Sequence, residues 1–249
     1  MNYKNKTVLI TGAGSGIGRT AAIAYAQEGA NVVVSDINTE GGKQTVADIT
    51  AAGGTAIFVE ANVADYEQVG KLVEATIDRF GSIDIAINNA GIGATQMRTD
   101  EADIKEWDKV VAVNQTGVFY CMQHELREMK KQKSGCIINV ASIAGLRAMP
   151  NNIAYSASKF AVVGMTKTAA REYAKFGIRI NALCPVFTPT GLFNPKHFPD
   201  EIMYRFEQSI PMKRFATVDE MAQTMLYLTS DMASFVTGHA MPVDGGITS

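Results

Sequence analysis

Cysteine is scarce and forms no pattern. Cys121, Cys136 and Cys184 are the only three in the chain, and no two stand as C-x-x-C, which excludes a disulfide framework and argues against a structural zinc site. Cys121 and His124 fall three apart, but a single Cys/His pair with no further ligands beside it is not a metal centre. No metal is expected. Charge of one sign is also missing: 23 Lys and Arg against 25 Asp and Glu leave a formal net charge of −2, so no basic field exists to hold nucleic acid or an anionic membrane. No apolar run approaches the ~18 residues of a membrane span. The opening "MNYKNKTVLITG" passes from two lysines into a short β-like run, without the longer apolar stretch and small-residue cleavage site of a leader. With 47% hydrophobic and 19% charged residues, the composition is not that of a disordered chain. A reduced, cytoplasmic protein able to bury a large core is expected.

What is present is a rhythm of short β-branched runs and longer helical stretches. "TVLIT" (7–11), "NVVVSD" (31–36), "TAIFVEAN" (55–62), "IDIAINNAG" (83–91), "CIINVAS" (136–142) and "IRINALCP" (178–185) read as strands. They are continuous apolar runs rather than alternating ones, as in strands covered on both faces of a parallel sheet. Helical patterns lie between them at 17–28, 39–52, 65–80, 103–133 and 152–176, with Gly29, Gly81 and Gly177 just past helix ends. Repeated strand–helix–strand units imply a single α/β domain, residues 1–249, with a doubly wound parallel sheet of about seven strands. The segment 186–215 breaks the rhythm, holding four of the seven prolines (Pro189, Pro195, Pro199, Pro211) and a short helix. A connection of that length reads as a lid over a site or as a surface loop.

Residues 11–18, "TGAGSGIG", follow the first strand and open a helix. The spacing is T-G-x-x-x-G-x-G through Gly12, Gly16 and Gly18, not the strict G-x-G-x-x-G. The physics is shared: glycines permit a tight turn and close backbone approach to a pyrophosphate, and the helix N-terminus offers free N–H groups. Asp36 ends the second strand, where a carboxylate accepts the adenosine ribose hydroxyls and repels a 2′-phosphate. Two like charges ~4 Å apart at an effective dielectric near 20 cost roughly 4 kcal/mol, so NAD(H) is expected over NADP(H). Ser15 and Ile37 stand where a phosphate-binding cation would be, and Arg19 is expected to be solvated. Further along come "NNAG" (88–91), Asn114 inside a long helical pattern that it disfavours, Ser142 after the fifth strand, and "YSASK", placing Tyr155 and Lys159 on one helix face.

Taken together and in this order, with the "VDGG" at 243–246, these motifs resemble the short-chain dehydrogenase/reductase family in its compact NAD(P)-dependent form, over nearly the whole chain. The resemblance implies a Rossmann-type fold and hydride transfer between a nicotinamide and a secondary alcohol or ketone. It makes Tyr155 the acid–base, Lys159 its assistant and a holder of the nicotinamide ribose, and Ser142 the hydrogen-bond partner of the substrate oxygen. Asn114 would hold a water through its main chain. An ammonium ~4 Å from a phenol is worth about 4 kcal/mol at most, enough to bring tyrosine close to neutrality. The resemblance further implies cofactor contacts at Gly12, Ser15, Gly16, Ile17, Gly18, Asp36, Asn62, Val63, Asn89, Ala90, Gly91, Tyr155, Lys159, Pro185, Val186, Thr188 and Thr190, and a homotetramer packed through 103–133 and 152–176. Asn62 stands where the family usually has aspartate, and Val186 where it commonly has glycine.

The substrate is open. Candidate contacts are the loop 92–97, the stretch 144–152 with Arg147, Asn151 and Asn152, and the lid residues Phe187, Leu192, Phe193, Met203 and Phe206. Arg98, Arg147, Lys196, His197 and Arg205 would suit a polyhydroxylated or acidic carbonyl compound such as a sugar derivative. The apolar lid residues suit a steroid-like or small aliphatic ketone. A 3-oxoacyl thioester reductase is a further reading, against which Asp36 speaks through its preference for NAD. A non-enzymatic nucleotide-binding sensor is the rival from another class, and the complete set Asn114, Ser142, Tyr155 and Lys159 gives it no support.

Overall fold

The computed structural model describes residues 3–193 and 199–249. Seven strands, β1 (Thr7–Thr11), β2 (Asn31–Asp36), β3 (Thr55–Glu60), β4 (Ile85–Asn88), β5 (Gly135–Val140), β6 (Ile178–Pro185) and β7 (Ala240–Val243), make one sheet in the order β3-β2-β1-β4-β5-β6-β7. Every pairing is parallel, with registers such as Leu9 beside Val33 and Ile10 beside Ile87. The chain winds outward from β1 to β3, then crosses to β4 and winds the other way. That reversal opens a crevice beyond the carboxyl ends of β1 and β4, where such sheets bind ligands.

The uninterrupted apolar strands are buried on both faces, as their pattern requires. Val8, Ile10, Val32, Val34, Ile87 and Ile138 point to the side covered by α1 (Gly16–Gln27), α2 (Thr39–Ala51) and α8 (Val218–Thr229). Leu9, Val33, Ala86 and Ile137 point to the side covered by α3 (Tyr66–Phe80), α5 (Gly117–Gln132) and α6 (Ile153–Tyr173). Full burial of each such side chain is worth roughly 1.5–3 kcal/mol. Gly29, Gly81 and Gly177 have φ of 89°, 82° and 75°, the left-handed cap expected of them.

Two departures from the sequence reading have physical causes. The helical stretch 103–133 is α4 (Ile104–Val111) and α5 joined by a π-helical turn, Ala112–Thr116, centred on Asn114. Its amide competes with the helix ladder, as described below. The sequence reading counts about seven strands but locates none beyond β6, after which α8 and β7 follow. β7 is four residues with Pro242 in it, tolerable only on an edge, and α8 is started by a capping box between Thr217 and Glu220. Within 186–215, α7 (Asp200–Ser209) is the short helix expected there.

α1 reaches the sheet closely because Gly18 has no side chain: a Cβ there would lie 2.3 Å from the Gly12 carbonyl oxygen and 2.5 Å from Asn89 Nδ2. Gly18→Ala should therefore lower stability by about 1–3 kcal/mol, the range for overpacking, read as a fall in melting temperature. An unchanged melting temperature would show that the helix can back away from the loop at no cost.

Candidate active site

The crevice is a cleft of about 1210 Å³ that runs from Asp36 and Asn62 at one end, past Gly12, Ser15, Gly16 and Ile17, to Ser142, Tyr155 and Lys159 at the other. Its floor is set by a clamp between β1 and β4. The backbone N–H groups of Asn89 and Ala90 donate to Thr11 Oγ1 (3.1 and 3.2 Å), and Asn89 Nδ2 donates to the carbonyls of Thr11 (3.0 Å) and Gly12 (3.1 Å). The Asn89 side-chain amide donates to the glycine loop, and Asn89, Ala90 and Gly91 together line the cleft. Gly12 turns with φ of 64°, and a Cβ on it would come within 2.8 Å of Ala90 Cα. Ser15 occupies the N-cap of α1 with no side-chain capping hydrogen bond. The first-turn N–H groups are therefore free to meet an anion.

Asp36 is fixed by two backbone donors, Gly14 N–H to Oδ2 and Asn38 N–H to Oδ1, both at 2.8 Å. Each oxygen keeps a lone pair facing the cleft, so the carboxylate fits a ribose diol. Gly14 is a residue the motif reading passed over: a Cβ there would strike Asp36 Oδ2 at 2.9 Å. Ile37 is 67% exposed at the rim. Arg19 is not a solvated cation but pairs with Asp48 of α2, which holds that carboxyl below its usual range. Among the described residues, no arginine lines the cleft. Asn62 Oδ1 accepts Ala64 N–H (3.0 Å), leaving one lone pair for an adenine amino group, and Val63 is buried beneath it against Cys121. The glycine cradle, the open helix N-terminus and the diol acceptor together fit a dinucleotide.

At the other end, Lys159 is 4% exposed and donates to the Val140 carbonyl at 2.9 Å. Its Nζ lies 5.5 Å from the centroid of the Tyr155 ring. Burial lowers the ammonium to about 8. Burial also raises the Tyr155 phenol, and the Ser142 hydroxyl pulls it back. The Lys159 ammonium is engaged with a carbonyl, and desolvation is the largest influence on the phenol. Ser142 also accepts Ala144 N–H at 3.1 Å. Asn114, fully buried, accepts Ile92 N–H and donates to the Ile92 carbonyl, both at 2.8 Å, and reaches Ser158 Oγ at 3.4 Å. The π-turn thereby pins the chain leaving β4.

Pro185, Val186, Thr188 and Thr190 also line the cleft. Val186 is not among the residues with positive φ, so the turn uses ordinary angles, and its side chain is buried with Ile143 and Ile210. Thr188 Oγ1 donates to the Val186 carbonyl at 2.9 Å, and the Thr190 side chain abuts Gly16. Around the Tyr155 end stand Met149, Ile143, Leu192 and three rings, with Phe187 centred 4.8 Å from Phe206 and 5.3 Å from Phe193. Asn152 lines the cleft as expected.

Two expected substrate residues are not cleft residues. Arg147 is exposed and donates to the Ile247 carbonyl at 3.0 Å, because its stretch is held against the C-terminal residues. Met203 lies off the cleft while Phe206, on the same helix, lines it. Arg98 is not in the lining either, Asn151 contributes through its carbonyl to Met97 N–H (2.8 Å), and Arg205 pairs with Glu201. Lys196 and His197 lie outside the described residues. Lys109 of α4 is a cleft residue that nothing in its helical context singles out. Among the described residues, no group of side chains could hold a metal ion, and no helix is long and apolar enough to cross a membrane.

A parallel doubly wound sheet carrying a dinucleotide-shaped cleft, with a half-buried tyrosine beside a buried lysine, defines a Rossmann-type oxidoreductase. Residues 12–248 match the family model described as enoyl-(acyl carrier protein) reductase. The chain is 43% identical to cyclohexanol dehydrogenase of Acinetobacter sp. over 99% of its length and 96% of that protein's. It superposes on the crystal structure of levodione reductase with a TM-score of 0.95 at 38% identity, covering 98% of both chains. It superposes on 3-ketoacyl-(acyl-carrier-protein) reductase from Brucella melitensis complexed with NADH with a TM-score of 0.93 at 36% identity, covering 100% of both. The chain belongs to the short-chain dehydrogenase/reductase family of oxidoreductases, with relatives named for alcohol and ketone substrates.

Because Lys159 is lowered by burial, the folded chain binds fewer protons than the unfolded one from about pH 8 up to the ordinary lysine range. Its contribution to stability therefore rises across that window. The difference in melting temperature between wild type and Lys159→Met, without ligand, should grow in favour of wild type as pH is raised from 7 to 10. A difference independent of pH would mean that the ammonium is not desolvated.

Proposed function

We propose that this chain is an NAD(H)-dependent oxidoreductase interconverting a neutral, largely apolar secondary alcohol and its ketone. The observation that carries the substrate class is the apolar character of the lining, where Met149, Ile143, Val186, Phe187, Phe193 and Phe206 outnumber the two described cations, the buried Lys159 and the exposed Lys109. A phosphorylated or acidic substrate would lose its hydration there with nothing to replace it. The relatives named cyclohexanol dehydrogenase and levodione reductase support the same direction. The case against a 3-oxoacyl thioester no longer rests on the cofactor, since a 3-ketoacyl reductase of this fold carries NADH. Lys109, exposed at the cleft wall and without an ion pair among the described residues, favours that second reading, because it would meet an anionic arm.

In the working site a bound nicotinamide supplies or accepts the hydride. Tyr155 then gives its proton to the substrate oxygen in reduction and takes one in oxidation. Ser142 shares a hydrogen bond with that oxygen and steadies the charge that develops on it. Lys159, held by Val140, supplies positive charge beside the phenol and a donor for the ribose. Asp36 orients the adenosine ribose and disfavours a 2′-phosphate through like charge. Phe187, Phe193 and Phe206 supply the aromatic part of the cleft wall against the substrate. The free, buried cysteines suit a reducing cytoplasm. Exposed Phe119 on α5 and Phe160 on α6 support a homotetramer through those helices, and sedimentation should give four times the chain mass. A monomer would leave these rings as ordinary surface.

The test of function is nicotinamide oxidation across neutral cyclic and aliphatic ketones, keto-sugars, keto-acids, steroids and acyl thioesters, with NADH and NADPH in parallel. NADH with the neutral ketones should be turned over fastest, and Tyr155→Phe should abolish turnover while still binding NADH. Equal turnover by that variant would remove the relay. Faster reduction of keto-acids or thioesters would hand specificity to Lys109 instead.

A further inference from the structure

Glu125 is a carboxyl that the hydride chemistry does not use and that, among the described residues, no cation pairs with. It lies on α5, 1% exposed, facing the ends of the two central strands. Its Oε2 accepts Asn88 Nδ2 at 3.0 Å, and the same amide gives its second N–H to Asn139 Oδ1, also at 3.0 Å. Asn88 and Asn139 face each other in register on β4 and β5. Asn139 Nδ2 continues to Thr166 Oγ1 of α6 at 2.9 Å and to Met122 Sδ at 3.2 Å, and Thr166 donates to the Val162 carbonyl at 2.8 Å.

Two atoms in this otherwise closed network have no partner, Glu125 Oε1 and Asn88 Oδ1, both buried. If Glu125 is ionised, both are acceptors without a donor in a place water does not reach. Each would bear the cost of an unsatisfied buried group, and the carboxylate would add that of an uncompensated buried charge. A single proton on Oε1 removes the charge and turns that atom into a donor, and Asn88 Oδ1, whose own amide nitrogen already bonds the same carboxyl, is the buried acceptor that lacks one.

We propose that Glu125 is held as a neutral carboxylic acid in a two-point pairing with the Asn88 amide, and that it acts as a positioning residue for the cleft. The network lies one residue beneath both halves of the site. Asn88 precedes Asn89, whose amide grips Thr11 and Gly12. Asn139 precedes Val140, whose carbonyl holds Lys159. Thr166 belongs to the helix that carries Tyr155 and Lys159. Ionising Glu125 therefore disturbs the cofactor loop and the proton pair at once.

The surroundings agree. Burial raises the carboxyl to about 7, and the Asn88 hydrogen bond pulls it back. The elements packed on it present no charge: Asn88 from β4, Asn139 from β5 and Thr166 from α6, while the buried residues of α3 are Val69, Leu72, Val73 and Thr76. On its own helix, Cys121 is the titratable neighbour, and its thiol is raised by burial and then by Glu125. His124 and Arg127 turn instead to Tyr66. A carboxyl whose folded value lies above its unfolded value contributes stability that is complete below the unfolded value and lost as pH rises through about 7.

Glu125→Gln places an N–H where the acid carries its proton and keeps the network closed at every pH. Two measurements on the unliganded chain test the proposal without reliance on any activity. The first is the infrared carbonyl band of a protonated carboxylic acid at pH 6, where ordinary carboxyls are ionised. It should be present in wild type and absent in Glu125→Gln. The second is melting temperature, equal in the two proteins at pH 5, with the variant ahead by roughly 4 °C or more at pH 8.5. A third arm rests on the cofactor reading above. NADH affinity should weaken in wild type as pH passes 7 and hold flatter in Glu125→Gln, a profile that a merely structural substitution would not produce. Absence of the band, or the same gap in melting temperature at both pH values, overturns the neutral acid. Parallel affinity profiles with the band present overturn the positioning role alone, and failure to bind NADH at any pH counts against the cofactor reading.

Discussion

The clamp between residues 89–90 and Thr11–Gly12 is the constraint on which the site depends. β1 and β4 are hydrogen-bonded neighbours, yet the chain leaves them toward opposite flanks of the sheet, which would let the crevice between their loops drift in width. The Asn89 amide ties both carbonyls of the first loop to the second. Its presence explains why Gly12 and Gly18 must lack side chains, since each Cβ would collide with Ala90, Asn89 or the carbonyls they hold. The glycine pattern is thus a packing requirement of the clamp before it is a phosphate-binding device. Both follow from backbone brought too close for a Cβ.

Low polarity shapes the rest of the chemistry. Lys159, Tyr155 and Glu125 are all shifted by burial toward their neutral forms. In each case hydrogen bonds from neighbouring polar groups set the direction of the side chain while desolvation sets its protonation. A phenol that keeps its proton is suited to deliver it to a carbonyl oxygen. An ammonium kept near neutrality can change charge at modest cost when a partner enters. The aromatic lining continues this environment, which is the ground on which we propose a neutral ketone rather than the sugar or acid that the basic residues of the sequence had suggested.

Much of this was legible in the chain. The strands were readable because both faces of a parallel sheet demand uninterrupted apolar residues, and Gly29, Gly81 and Gly177 marked helix ends because left-handed caps exclude most side chains. Asn114 was recognisable as a poor helix residue, though not that its amide would bond both backbone groups of Ile92 and open a π-turn. β7 escaped notice because a four-residue edge strand containing proline has no periodic signature. Arg147 read as a pocket residue for its charge and Met203 as an apolar residue of the lid, but residue type says little about which way a side chain turns.

The sequence by itself determined the class of fold, the order of its motifs and the residue types at the two ends of the cleft. These rest on short-range rules of periodicity, capping and glycine conformation, or on a full set of family motifs. Only the tertiary structure decided that Arg19 belongs to Asp48, that Lys159 rests on Val140, that Val186 needs no special backbone angle, and that Glu125 lies without a cation beneath Asn88 and Asn139. Each depends on groups far apart in the chain meeting where water is excluded. Burial and partner geometry, which fix charge and reactivity there, have no one-dimensional signal.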